Sequence, residues 1–142
     1  MKMNLKQWRE DRHITEAPHI KVYVANVIEE LLEMFTNNKN EIDYLKEEIV
    51  DTYFNRLHIE KNVIDAIQDI RVFSENQTEL MGYDAEIALS ETIKEISSRE
   101  QDPLQKEDWL SKGYDGTKWQ KNRNQDRSTL YVADYTKAST SK

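Results

Sequence analysis

His19-Ile20-Lys21-Val22-Tyr23-Val24-Ala25-Asn26-Val27-Ile28-Glu29-Glu30-Leu31-Leu32-Glu33-Met34-Phe35-Thr36 opens a run of 63 residues, His19 to Met81, with neither glycine nor proline. A β protein needs turn residues every 8–12 positions or so. The run therefore reads as helix. Within its first segment Val24, Val27, Ile28, Leu31, Leu32 and Phe35 follow the i, i+3, i+4, i+7 spacing of a buried helical stripe. Thr15, before Ala17-Pro18, is the candidate cap of this helix. Asn37-Asn38-Lys39-Asn40 ends it.

Working outward, residues 4–11 predict a short first helix with Leu5 and Trp8 on its apolar side. A third helix, about Glu41 to Leu57, offers Ile42, Leu45, Ile49, Tyr53 and Phe54. A fourth, about Glu60 to Met81, offers Val63, Ile64, Ile67, Ile70 and Phe73 and stops at Gly82, a fitting C′ residue. Asp84 is placed to cap a fifth, Ala85 to Ser98, with Ile87, Leu89, Ile93 and Ile96. A weaker helix is expected over Leu104–Lys112, and the remainder reads as an irregular tail. The expectation is an all-α protein: a bundle of about five helices in one domain spanning 1–142, with a helical core over about 15–99 and a C-terminal extension over 100–142.

Charge and composition narrow the function. The 142 residues carry 20 Lys+Arg against 27 Asp+Glu, a net −7. This disfavours a general nucleic-acid binder, since phosphate backbones are held by excess positive charge. There is no cysteine, so disulfides, thiolate zinc sites and cysteine nucleophiles are excluded. Mean hydropathy is −0.88 and no apolar run approaches the length of a membrane span. Met1-Lys2-Met3-Asn4-Leu5-Lys6-Gln7-Trp8 lacks the apolar centre of a signal peptide, so a cytoplasmic location is expected. Residues 1–99 hold 12 basic and 20 acidic side chains, whereas 100–142 hold 8 and 7. The acidic excess thus lies in the helical part.

Some of that excess is patterned. With about 100° per residue, Glu29 and Glu33 lie about 40° apart around the helix, and Glu30 falls within about 100° of both. The three carboxylates share an edge opposite the apolar stripe. Asp65 and Asp69 repeat the i, i+4 arrangement on the fourth helix. Like charges at this spacing are mildly destabilising; where several converge and are partly buried, each pair at about 4 Å and an effective dielectric near 20 costs roughly 4 kcal/mol. Two readings follow: a solvated acidic face, or a site for Mg²⁺ or Mn²⁺, hard cations that prefer carboxylate oxygens. Glu48 and Asp51 on the third helix form a competing source of ligands. His13, His19 and His58 stand in unrelated settings; no nucleophile elbow and no glycine-rich phosphate loop is present.

Glu29-Glu30-x-x-Glu33, then Asp65-Ala66-Ile67-Gln68-Asp69, then Gly82-Tyr83-Asp84 resembles the all-α nucleoside triphosphate pyrophosphohydrolases, which include MazG-type enzymes, phosphoribosyl-ATP pyrophosphohydrolase and all-α dimeric dUTPases. Glu95-Ile96-Ser97-Ser98-Arg99, Asp115-Gly116-Thr117-Lys118-Trp119-Gln120-Lys121 and Tyr131-Val132-Ala133-Asp134-Tyr135 are similar to later elements of phage-type members. The likeness covers about residues 18–137. It implies an enzyme that cleaves a (deoxy)nucleoside triphosphate to monophosphate and pyrophosphate, with Mg²⁺ or Mn²⁺ held by Glu29, Glu30, Glu33, Asp65 and Asp69. Glu29 or Glu30 would activate water, Arg99, Lys118 and Lys121 would meet the phosphates, and Asn76 would read a base edge. It also implies a homodimer or homotetramer in the cytoplasm (of the host, for a phage protein), with a nucleotide substrate and neither nucleic-acid nor membrane partners. The sequence departs from the family's E-x-x-D pattern: its first acidic position is Asn62 or Ala66, depending on whether Asp65 or Asp69 is aligned. Two other readings follow from the same residues: a non-catalytic helical module binding a nucleotide or a protein, and a hydrolase of phosphoribosyl-ATP-like substrates.

Overall fold

The computed structural model describes residues 4–12, 14–15, 17–54, 63–99 and 125–141. Among these, the chain is all-helical: α1 Leu5–Asp11, α2 Ile20–Glu33, α3 Lys39–Phe54, α4 Ile64–Leu80 and α5 Ala85–Ser98. Two short 3-10 turns follow, at Arg127–Thr129 and Tyr135–Ala138, in an otherwise irregular C-terminal stretch. The expected helix over Leu104–Lys112 lies outside the described residues, as do Asn62, Lys118 and Lys121. No helix among the described residues is long and apolar enough to cross a membrane.

The chain forms two compact units, Glu16–Val63 and Met1–Thr15 with Ile64–Lys142. The first is a helical hairpin of α2 and α3. Its start differs from the expectation. His19, not Thr15, is the cap of α2, its Nδ1 accepting from the Lys21 N–H at 3.1 Å. The first helical residue, Ile20, follows Pro18, so Thr15 lies too far upstream to reach an unpaired N–H of the first turn. Asn38 supplies the start of α3 by accepting from the Glu41 N–H at 3.2 Å, which is why that helix begins earlier than its apolar pattern suggests. Ile42 is buried in the hairpin, and Val24, Val27, Ile28, Leu32 and Leu45 are half-buried. Leu31 and Phe35, expected in the stripe, are exposed: α2 ends at Glu33, and Phe35 lies in the turn beyond it.

The second unit is organised on α5. α1 packs on it, with Trp8 buried, and Arg12 ties the two by donating to the Ser97 carbonyl at 3.4 Å while its guanidinium sits 4.8 Å from the Trp8 ring centroid. α4 also packs on α5. Its apolar stripe is not buried as expected, however: Ile64, Ile70 and Phe73 are exposed, Phe73 by 71%, and only Val63 and Ile67 are half-buried.

The joint between α4 and α5 follows the sequence reading closely. The Tyr83 N–H donates to the Thr78 carbonyl at 3.2 Å and the Gly82 N–H to Glu79 at 3.0 Å, the paired bonds of a Schellman end. That geometry needs a left-handed residue, and Gly82 has φ +92°. Asp84 then caps α5, its carboxylate accepting from the Ile87 N–H at 2.9 Å. Gly82→Ala would put a Cβ in the left-handed region and 3.3 Å from the Ser141 hydroxyl oxygen. We expect it to cost about 1–2 kcal/mol, read as a lowered urea midpoint at unchanged slope.

Candidate functional site

Residues of the expected site lie in both units. In the hairpin, the helical spacing of Glu29, Glu30 and Glu33 does what the sequence implies. A carboxylate oxygen from each lies within 4.8 Å of the others. Glu29 is half-buried, whereas Glu30 and Glu33 are exposed. The neighbouring helix adds a group absent from the sequence reading. Lys46 of α3 reaches Glu29 with an N–O distance of 3.1 Å and lies 3.7 Å from Asp43. It sits 17 positions away on another helix, so no local pattern announces it.

The donor set suits a hard cation. Glu29, Glu30 and Glu33 would offer it three carboxylate oxygens. Glu29 would have to share its carboxylate with Lys46 or release it. The competing acids lie on α3: Glu48 accepts from the Tyr44 hydroxyl at 3.2 Å, and Asp51 is exposed.

In the other unit, Asp65 and Asp69 are exposed one turn apart on α4, and Asn76 is exposed on the same helix. Arg99 sits at the C-cap of α5, where Glu95 pairs with it at 3.2 Å. It would have to exchange that carboxylate to meet a phosphate.

The most developed polar cluster of this unit joins α5 to the C-terminal stretch. Residues 125–140 run antiparallel along α5 as a strap. Gln125 donates to the Ser98 carbonyl at 2.7 Å, and the Tyr131 N–H donates to the Ser98 hydroxyl at 2.8 Å. The Ala133 N–H donates to Glu95 and the Asp134 N–H to Glu91, each at 3.1 Å. The hydroxyls of Thr92 and Tyr135 meet at 2.8 Å. At the far end the Asp84 N–H donates to the Ala138 carbonyl at 2.7 Å and the Thr140 N–H to Gly82 at 2.8 Å, which pairs Tyr83 with Ser139.

Glu91 is the centre of this cluster and is only 1% exposed. It accepts from the Tyr131 hydroxyl and the Asp134 N–H, and Lys94 pairs with it at 3.1 Å. Lys137 donates to the Tyr131 hydroxyl at 3.1 Å and lies 3.9 Å from Glu91. The Tyr131 hydrogen bond, ahead of the Asp134 N–H and the two lysines, outweighs burial and holds the carboxyl down at about 2. The same hydroxyl, then Glu91, raises the Lys137 ammonium above its ordinary value.

Glu91 was not among the candidates from sequence. The available signal is that Glu91, Glu95 and Ser98 stand at i, i+4 and i+7, a row of acceptors on one side of α5. Two segments that the family resemblance draws on, Glu95–Arg99 and Tyr131–Tyr135, meet here. Comparison of the chain with family models, with curated proteins and with solved structures finds no match.

A carboxyl lowered from 4.5 to about 2 stabilises the docked strap fully above its unfolded value. That contribution is lost as pH falls from about 4.5 towards 2. Protection of the Asp134 amide from hydrogen exchange should fade across this acid window. In Tyr131→Phe, which removes the largest cause of the shift, the acid-dependent loss should be smaller and end at a higher pH.

Proposed function

We propose that the protein is a Mg²⁺-dependent nucleotide pyrophosphohydrolase that converts a (deoxy)nucleoside triphosphate to its monophosphate and pyrophosphate. The observation that carries this reading is the convergence of Glu29, Glu30 and Glu33 within 4.8 Å on one helix edge. Together with the ordered acidic and basic motifs further along the chain, it supports a site that recruits phosphate through a cation.

In this reading Glu29, Glu30 and Glu33 hold Mg²⁺ or Mn²⁺, with Asp65 and Asp69 as further ligands. The bound ion supplies charge neutralisation on the triphosphate oxygens and a more acidic water. Glu29 or Glu30 orients the water and takes its proton as its oxygen attacks the α-phosphorus. The bond from that phosphorus to the bridging oxygen breaks, and pyrophosphate leaves. Arg99, Lys118 and Lys121 offset the charge on the departing phosphates, and Asn76 contacts the base. The exposed apolar residues of α4 support association of copies as a homodimer or homotetramer, and the cytoplasm is the proposed compartment.

The Glu29–Lys46 ion pair favours a second reading, because it compensates part of the acidic charge without a metal. There the chain is a non-catalytic helical module that binds a nucleotide or a protein. Turnover separates the two. A panel of nucleoside triphosphates and phosphoribosyl-ATP with Mg²⁺ should yield pyrophosphate from at least one member. Glu33→Gln and Asp69→Asn should each reduce that release by roughly 100-fold or more. Full activity in both variants sinks the assignment, and nucleotide-dependent thermal stabilisation without pyrophosphate release selects the module.

A further inference from the structure

We propose that Lys46 is a built-in competitor of the divalent ion for Glu29, and that it keeps the acidic edge of α2 a weak metal site. This is a regulation of the same site and rests on the metal-dependent reading above.

The geometry of the hairpin leads to it. Lys46 comes from α3, and its ammonium lies 3.1 Å from Glu29 and 3.7 Å from Asp43. The side chains of Glu29 and Lys46 are only 14% and 23% exposed, so water screens their attraction less than it screens a pair on the open surface. Glu30 and Glu33, by contrast, are exposed. Of the three carboxylates that converge within 4.8 Å, the most enclosed is thus the one paired with a cation of the chain itself.

An ammonium and a divalent ion draw on the same carboxylate charge, and they repel each other. A single and a double positive charge about 6 Å apart lose roughly a factor of ten in binding even at the dielectric of water, and more where water is partly excluded. An ion on this edge meets Lys46 whether it takes Glu29 from the lysine or shares the carboxylate with it. In both cases the lysine lowers the affinity. A lysine suits the role, being a compact charge on a flexible four-carbon stem. Asp43, three positions earlier on α3, is a second carboxylate within its reach when Glu29 passes to the ion. Lys46 is in this sense a positioning residue that acts through Glu29.

A lysine that only tied α3 to α2 would behave in the opposite way. Its removal would loosen the helix edge, and metal binding would weaken or stay as it is.

Mn²⁺ is titrated into the full-length chain, with the free ion read by electron paramagnetic resonance and helix content checked by circular dichroism. The chains compared are wild type, Lys46→Met, Lys46→Gln and Lys46→Arg; two neutral variants are included in case one fails to fold. The expected result is that the neutral variants bind Mn²⁺ about tenfold or more tightly than wild type. Lys46→Arg, which keeps the charge, should bind no more tightly than wild type. Wild-type or weaker affinity in a folded neutral variant overturns the proposal and leaves the metal reading standing. So does a tightening in Lys46→Arg as large as that in Lys46→Met. Saturable Mn²⁺ binding in none of the chains overturns the metal reading, and the proposal with it.

Discussion

A carboxylate withdrawn from water must have its lone pairs met, and the arrangement around Glu91 is what that requirement produces. Tyr131, the Asp134 amide and Lys94 bond or pair with it directly, and Lys137 holds the Tyr131 hydroxyl. The C-terminal stretch has little regular structure of its own, so its backbone donors find acceptors on α5 or in its own short turns. Glu91, Glu95 and Ser98 are those acceptors along the helix. Removing the carboxylate would take from the half-buried Tyr131 and Asp134 the acceptor that they share. The second unit thus buries an ionised group alongside its apolar side chains Trp8, Ile93 and Ala138.

The acidic edge of α2 follows the opposite rule. Glu30 and Glu33 are exposed, and the half-buried Glu29 pairs with Lys46. Water screens the repulsion that buried carboxylates would suffer. Glu91 and Glu29 thus show two settings of a glutamate on an amphipathic helix: one is held by a distant segment of the chain, the other by a lysine of the next helix.

What was legible in the sequence is what local chemistry decides. Gly82 and Asp84 mark the end of α4 and the start of α5 because a left-handed residue and an N-cap carboxylate act within one helical turn. The edge formed by Glu29, Glu30 and Glu33 follows from the helical period alone. Thr15 was the wrong cap because several polar residues near Pro18 compete for the role, and the position of the first helical turn decides among them. Phe73 is exposed for a different reason: periodicity locates a stripe but not its cover. Glu91 and Lys46 were invisible because their partners lie 40 and 17 residues away. A polar residue's fate on a helix is set by what the rest of the chain brings to it.

The two closures also differ in the length of chain they tie off. Glu29 and Lys46 close a loop of 17 residues, whereas Glu91 and Tyr131 close one of 40. Chain statistics make the longer closure more costly by about 0.8 kcal/mol before any contact repays it. The hairpin can form from neighbours in sequence, but the strap must wait for α5 to exist and for the chain to return to it. In synthesis from the N-terminus Glu91 emerges 40 residues before Tyr131. Until then Glu91 is an ordinary hydrated glutamate, and its charge helps keep the unfinished helix soluble.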